Sequence, residues 1–279
     1  MNNSIALQQV SKSTVAAIDP RLTSNCGAIL LDDFIVAIDA GMRPFAARIF
    51  RETLEETYRR PVKYVCVTHY HQDHVFGLSP FKDVTLFGSA QIAENLRKSP
   101  DWSSQAFERR KKEDPTAAEW LDAVEFIIPS VLFHQRMEIF NQDQVIEFVH
   151  SGGHSSCSVY GYYPDEKILF SGDLIFAGMF PFAGDKTCDP EKWIATLKTW
   201  LTMDIDHVIP GHGPVTGLDE VHRQLEFLEV LKQNTLKAIT AGKNYADIDL
   251  PAVYPVTEHA RWFADKTQRQ WYKFYLKNQ

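Results

Sequence analysis

Short β-branched and apolar runs alternate along the chain with stretches whose apolar residues recur every three or four positions, which predicts strands interleaved with amphipathic helices. Thr14 to Ile18, Cys26 to Leu31 and Phe34 to Ile38 read as strands, with Asp32-Asp33 as a turn, so a β-hairpin opens the fold. Behind Pro44, well placed in a first helical turn, Ala46, Ile49, Phe50, Thr53, Leu54 and Thr57 form one inward helical face. Val62 to Thr68 then reads as a buried strand. From Ser89 to Asp122 the chain turns helical and charged, contains no Gly, and is broken by Ser99-Pro100-Asp101 and Asp114-Pro115. This predicts an inserted helix pair, and two readings of it stand side by side: a cover leaning over a site, or a plain surface insertion. Further strands are expected at Glu125 to Ile128, Met137 to Phe140, Gln144 to His150, Lys167 to Phe170 and His207 to Ile209.

Asp189-Pro190 opens a helix with Asp as cap and Pro at the first position, carrying Trp193, Ile194, Leu197, Trp200 and Leu201 on one face. Asp219 is expected to cap a second helix that presents Val221, Leu225, Leu228, Leu231, Leu236 and Ile239 and stops at Gly242. Glu258 to Asn278, with Trp262, Phe263, Trp271, Phe274 and Leu276, forms a last helical segment docked on the core. No low-complexity linker separates these pieces. The expectation is one α/β domain over 1–279 with two similar βα halves, a helical insertion at about 89–122 and a helical C-terminal part at about 219–279.

Composition adds limits rather than a function. With 279 residues, 44% hydrophobic and 23% charged, the chain can bury a substantial core. Its net charge is −7, and the longest basic run, Arg109-Arg110-Lys111-Lys112, meets Glu113-Asp114 at once, which reads as a solvated helix face. A nucleic-acid partner is therefore not expected. Cys26, Cys66, Cys157 and Cys188 form no Cys-x-x-Cys pair and read as structural thiols of a reducing compartment. Met1 to Leu7 lacks a basic and apolar leader pattern, and no eighteen apolar residues run together, so a soluble, cytoplasmic, uncleaved chain without a membrane partner is expected. No signal of oligomeric state is present.

The chemistry concentrates in His69-Tyr70-His71-Gln72-Asp73-His74, which places four candidate metal ligands in six residues at the C-terminal end of a strand. Three later positions share its setting, each following a short apolar strand and framed by Gly: Gly153-His154, Gly172-Asp173 and Gly211-His212-Gly213. Glycine beside a ligand lets the backbone turn and approach closely. Imidazole and carboxylate suit Zn²⁺ and also Fe or Mn. Three His for one ion and a His pair with an Asp for another leave one carboxylate to bridge, and two ions about 3.5–4 Å apart can share a hydroxide and polarise the bond it attacks. His134, His150, His207, His222 and His259 fall outside this pattern and read as surface or packing residues, while Cys157 falls where a helix start is expected.

Taken in order, Thr-His-Tyr-His-Gln-Asp-His, Gly-Gly-His, Ser-Gly-Asp and Pro-Gly-His-Gly resemble the metallo-β-lactamase superfamily of dinuclear hydrolases over approximately Val15 to Gly213. The resemblance implies a four-layer αββα sandwich with the site along one edge and two Zn²⁺ as cofactors. It implies that His69, His71 and His154 hold one metal and Asp73, His74 and His212 the other, with Asp173 bridging. Asp39 then orients a ligand His without touching metal, and Asp73 is the catalytic candidate that moves a proton. His at position 71 differs from the Glu of flavodiiron oxygen reductases; Asp at 173 differs from the Cys or Ser of the best-known lactam-cleaving branches; and no further His motif of RNA-processing members follows His212. The segment from Leu174 to Asp185 is similar to small-molecule hydrolase-like members found with quinoprotein and sulfur-oxidation systems, and Tyr70, Phe176, Phe180 and Phe182 are the candidates to wall a pocket, against core packing for the same rings.

The leading expectation is a metal-dependent hydrolase in which a metal-bridging hydroxide attacks an ester, thioester, lactone or related small-molecule bond. Two alternatives carry the same ligands: a mononuclear iron persulfide dioxygenase, and a glyoxalase II-like thioesterase whose basic C-terminal patch finds weak counterparts in Lys232, Lys237 and Lys243. A non-catalytic, metal-stabilised binding domain is a third.

Overall fold

The opening hairpins zip into the edge of a large sheet, because β2 (Thr14–Ala17), β3 (Cys26–Leu30) and β4 (Ile35–Ile38) pair antiparallel in turn, with β1 (Leu7–Gln9) added outside β2. The computed structural model describes residues 4–258 and 260–278; Met1 to Asn3, His259 and Gln279 lie outside them, so the reading of the first three residues and of His259 is not placed. From β4 the pairing changes to parallel: helix α1 (Pro44–Tyr58) crosses back to β5 (Val62–Cys66), which is followed by the short helix α2 (Gln72–Val75) and by β6 (Thr85–Ser89). Helices α3 (Ala90–Lys98), α4 (Ser104–Glu113) and α5 (Ala118–Leu121) intervene before β7 (Val131–Phe133) pairs parallel with β6.

A second sheet holds β8 (Arg136–Asn141), β9 (Gln144–His150), β10 (Val159–Tyr163), β11 (Ile168–Phe176) and β12 (His207–His212), antiparallel except for the β11–β12 pair, which is parallel across helix α6 (Pro190–Trp200). Helix α7 (Leu218–Thr240) and helix α8 (Ala260–Lys277) complete the second half. The first sheet therefore has seven strands and the second five among the described residues.

Strand alternation sets the layers. Along β4, Val36 and Ile38 point into the core between the sheets with Ile29, Phe87, Phe148, Phe170 and Ile209, whereas Ile35 and Ala37 pack with Phe50 and Leu54 of α1. On the far side Leu169, Leu174, Trp193, Trp200, Leu228 and Trp271 form the core beneath α6, α7 and α8. Burial on both faces explains why these strands read as continuous apolar runs. The arrangement is an αββα sandwich, as expected from the sequence.

Several elements differ from the sequence reading, which did not predict β1, α2 or β6. Glu125 to Ile128 is not a strand: Pro129 has no N–H for a ladder, and the chain joins the sheet only at β7. Cys157 starts no helix; Ser155 and Ser158 close a turn through Ser155 N–H to Ser158 Oγ at 3.0 Å, and the unpredicted strand β10 follows. The strand of Ile168 to Phe170 does not end at Gly172 but continues to Phe176 through register shifts. Gly217, not Asp219, occupies the cap position of α7, leaving Asp219 in its first turn. No helix among the described residues is long and apolar enough to cross a membrane.

Candidate metal centre

Both sheets end their ligand-bearing strands at one edge. From the first, β5 runs into His69, His71, Asp73 and His74, the last two on α2; from the second come His154 before β10, Asp173 within β11 and His212 at the end of β12. Seven side chains separated by up to 143 positions in sequence thus converge.

Two sets of lone-pair atoms result. His71 Nδ1 lies 3.1 Å from His69 Nε2 and 3.0 Å from His154 Nε2, and Asp173 Oδ2 is 3.6 Å from both of the latter. In the other set His212 Nε2 is 3.1 Å from Asp73 Oδ2, and Asp173 Oδ1 is 3.1 Å from His74 Nε2 and 3.4 Å from His212 Nε2. Ligands about 2.05 Å from a tetrahedral ion stand about 3.4 Å from each other, so both sets have the spacing of a coordination shell. Hydrogen bonds among the imidazoles cannot replace that reading, since three ring nitrogens converging on one point have too few protons to share. Moreover, His74 Nε2 and Asp173 Oδ1 are buried without a hydrogen-bond partner, a costly arrangement for polar atoms unless a cation takes their lone pairs. The two donor sets could hold divalent metal, and Asp173 turns Oδ2 toward the first set and Oδ1 toward the second.

The opposite ring nitrogens are tied down. Asp39 Oδ2 accepts from His74 Nδ1 at 2.8 Å and from Thr68 Oγ1 at 2.7 Å, while Oδ1 accepts from Thr68 N–H at 2.8 Å. Having given its proton to Asp39, Thr68 Oγ1 accepts from His69 Nδ1 at 3.1 Å. One buried carboxylate therefore orients a ligand of each set, and it does so from a left-handed backbone conformation, φ 59°, that Asp tolerates better than most residues. His154 Nδ1 donates to the Phe182 carbonyl at 3.0 Å, and His71 Nε2 donates to Asp185 Oδ2 at 2.9 Å. Asp185, which also accepts from the Tyr70 hydroxyl and is only 6% exposed, carried no sequence signal of its own. Neither did Thr68 or the Phe182 carbonyl. Their shared position on loops facing the ligands is visible only in three dimensions.

Glycine is required where the halves meet. A Cβ on Gly211 would lie 2.0 Å from Asp173 Oδ1, and one on Gly172 would lie 2.9 Å from Thr68 Cβ, with φ at 49° besides.

Burial and charge divide the histidines. Burial, aided by neighbouring imidazoles, holds His69 well below the ordinary imidazole range and brings His154 down to about 4. Burial acts the same way on His74 and His212, but there the carboxylates of Asp173, Asp39 and Asp73 outweigh it, raising His74 well above the ordinary value and pushing His212 up to about 10. Asp73 is itself held below the usual carboxylate range, because His74 and His212 overcome its burial.

The aromatic candidates separate too. Tyr70 is buried with its hydroxyl on Asp185, and Phe180 is buried against Phe227. Phe176, also buried, stacks on the His212 ring at 5.3 Å and 6°. Phe182 is half-buried, its ring 6.0 Å from that of His71 and 6.1 Å from that of His154. The insertion packs around this loop system: Trp102 meets Phe76 at 4.6 Å, two residues past His74, and Asn95 Nδ2 donates to Ser156 Oγ at 2.9 Å, two residues past His154. Cys157 is fully buried and pushed by burial up to about 12, an inert thiol.

The sequence profile described as the metallo-beta-lactamase superfamily matches residues 19–212. The chain is 22% identical over 222 residues to a linear primary-alkylsulfatase of a Pseudomonas species, covering 68% of this chain and 42% of that protein. It is 26% identical over 208 residues to the human acyl-coenzyme A thioesterase MBLAC2, covering 68% of this chain and 72% of that one. Among solved structures, a double mutant of the sec-alkyl sulfatase PisA1 superposes with a TM-score of 0.72 at 17% identity, over 98% of this chain and 50% of its own. The chain thus spans less than half the length of the alkylsulfatase it matches.

Proposed function

The chain belongs to the metallo-β-lactamase superfamily, and from that premise we propose that it is a dinuclear metal-dependent hydrolase of a small-molecule ester, thioester, lactone or related bond. The observation that carries this reading is the shared carboxylate: Asp173 stands between two complete ligand sets, with Oδ1 and His74 Nε2 buried and unpartnered. His69 Nε2, His71 Nδ1, His154 Nε2 and Asp173 Oδ2 would hold one ion, and Asp73, His74 Nε2, His212 Nε2 and Asp173 Oδ1 the other. When bound, such ions supply Lewis acidity toward the scissile carbonyl and a water acidic enough, pKa about 7, to react at neutral pH.

The chain's own residues position and exclude. Asp39, Thr68, Asp185 and the Phe182 carbonyl fix the four rings so that no reorganisation is needed on binding. Phe176, stacked flat on His212, and the buried Tyr70 keep bulk water from the flanks. Asp73 is the proton carrier, for its carboxylate is the most open of the four acidic ligand-bearing or orienting groups, with 24% side-chain exposure against 5% for Asp173 and Asp185 and 2% for Asp39. It stays ionised at neutral pH and can accept a proton and return it to the leaving group.

The relative named as an acyl-coenzyme A thioesterase supports a thioester among the substrate bonds. Lys232 is committed to Glu191 at 2.7 Å, which weakens the case for a basic patch that would read glutathione. The test is a panel of chromogenic esters, thioesters, lactones and lactams with the metals counted. About two ions per chain, with turnover that disappears in chelator and in Asp73→Ala, are expected. One iron per chain with oxygen uptake on a persulfide overturns the proposal in favour of a dioxygenase.

A further inference from the structure

Helix α8 buries a regular stripe, Ala260, Ala264, Thr267, Trp271 and Tyr275, spaced three or four residues apart, which accounts for its docking. Trp262 and Phe263 fall off that stripe and remain 58% and 37% exposed. Core packing therefore does not explain them. What they do touch is Phe182: the Trp262 ring lies 5.8 Å from it at 11°, and the Phe263 ring lies 5.2 Å from it. Phe182 in turn borders the rings of His71 and His154. An exposed aromatic strip two rings deep thus runs from the edge of the metal centre onto α8.

Its seat on the centre is rigid. The carbonyl of Phe182 is the acceptor for His154, and the next residue donates its N–H to Thr267 Oγ1 of α8 at 3.1 Å. A Cβ on Gly184 would stand 2.5 Å from Lys266 Cβ and 2.8 Å from the Lys266 carbonyl carbon, so the loop lies directly against the helix backbone. A contiguous exposed apolar surface beside a reactive site marks a binding surface rather than chance exposure. Lys266 Nζ already lies 5.5 Å over the Trp262 ring as its cationic neighbour; an apolar occupant gains by covering the ring surface that remains, and its reactive end would have to reach ligands His71 and His154.

We propose that Phe182, Trp262 and Phe263 form a subsite for a linear apolar chain, alkyl or acyl, attached to the bond that is hydrolysed. This inference rests on the hydrolytic reading of the centre. Each methylene moved from water onto such a surface is worth roughly 0.8 kcal/mol, about a fourfold gain.

The experiment compares p-nitrophenyl acetate, butyrate, octanoate and decanoate with the metal-loaded protein. The decanoate-to-acetate ratio of kcat/KM is expected to exceed ten and to fall at least tenfold in Trp262→Ala and Phe263→Ala. Phe140→Ala, which removes a 66% exposed ring on β8, should leave the ratio as it is. Both ring variants remove exposed side chains, and thermal melts verify folding. A ratio unmoved in folded variants overturns the subsite. If no ester is turned over, the thioesters, lactones and lactams of the panel decide the hydrolytic reading separately, and calorimetry decides the subsite: decanoate should bind at least tenfold more tightly than acetate and lose that margin in Trp262→Ala, whereas equal binding of the two acids overturns it.

Discussion

Asp39 shows how one residue can govern a centre it does not enter. Its two oxygens accept from the His74 ring, the Thr68 hydroxyl and the Thr68 N–H, and through that hydroxyl the carboxylate also sets the tautomer of His69. Asp39→Asn keeps the shape but turns one acceptor into a donor facing buried donors. Metal affinity is expected to fall 10- to 100-fold, the usual effect of losing such a partner, measured by competition with a chromophoric chelator; an affinity within twofold of the wild type would count against the role. The seven convergent residues were legible in the sequence because His, Asp and Gly leave a chemical signature at fixed spacings. Thr68, Asp185 and the Phe182 carbonyl were not, since a hydroxyl, a lone Asp and a backbone oxygen look the same in any loop. Tyr70 is instructive in a different way: readable as a pocket wall or as core packing, it is buried with its hydroxyl bonded to Asp185.

Elements were legible where local chemistry decided them. Asp189-Pro190 starts α6 as read, with the Asp189 side chain accepting from Lys192 N–H at 3.1 Å, while the Asp189 N–H donates to the Gly153 carbonyl at 2.8 Å and so joins the helix to the His154 loop. Asp189→Ala removes the cap and a loose, exposed pairing with Lys192 Nζ at 3.8 Å. A loss of about 1 kcal/mol, or roughly 2 °C in melting temperature, is expected with the ligand loop still held by the backbone bond; a drop in metal content by more than half would show the side chain to matter beyond capping. Where tertiary contacts decided, the sequence misled. Val159 to Tyr163 became β10 because Ser155 and Ser158 close a side-chain turn that a helix start resembles in composition. Strand β11 outran its apparent stop at Gly172 because β12 continues beside it, with Phe176 paired to His212. The insertion, equally readable as a cover or as a surface appendage, packs on the loops bearing His74 and His154 through Trp102 and Asn95.

At the scale of the whole molecule, the ligands split between two sheets already joined by bonds such as Asn25 N–H to the Gly211 carbonyl and Val159 N–H to the Thr68 carbonyl, each 2.8 Å, so ions at the seam would tie the halves further together. That makes loading a matter of stability as well as activity: ions at 100 times their dissociation constant would contribute about 2.7 kcal/mol, and the melting temperature should rise with metal concentration and fall in chelator. The protons in the site give the process a sign. In the ion-free protein at pH 7.5 His212 is protonated, since its carboxylate neighbours raise it to about 10, whereas His69 and His154 are already neutral. A ligand nitrogen must be bare, so loading has to expel protons from the Asp73, His74 and His212 set and almost none from His69 or His154. Affinity should therefore climb as pH rises from 6 toward 9 and level off near 10. Calorimetric titration in two buffers of different ionisation enthalpy measures the release directly: at least one proton per chain at pH 7.5 is expected, and none would mean that the carboxylates around His212 do not hold that ring charged.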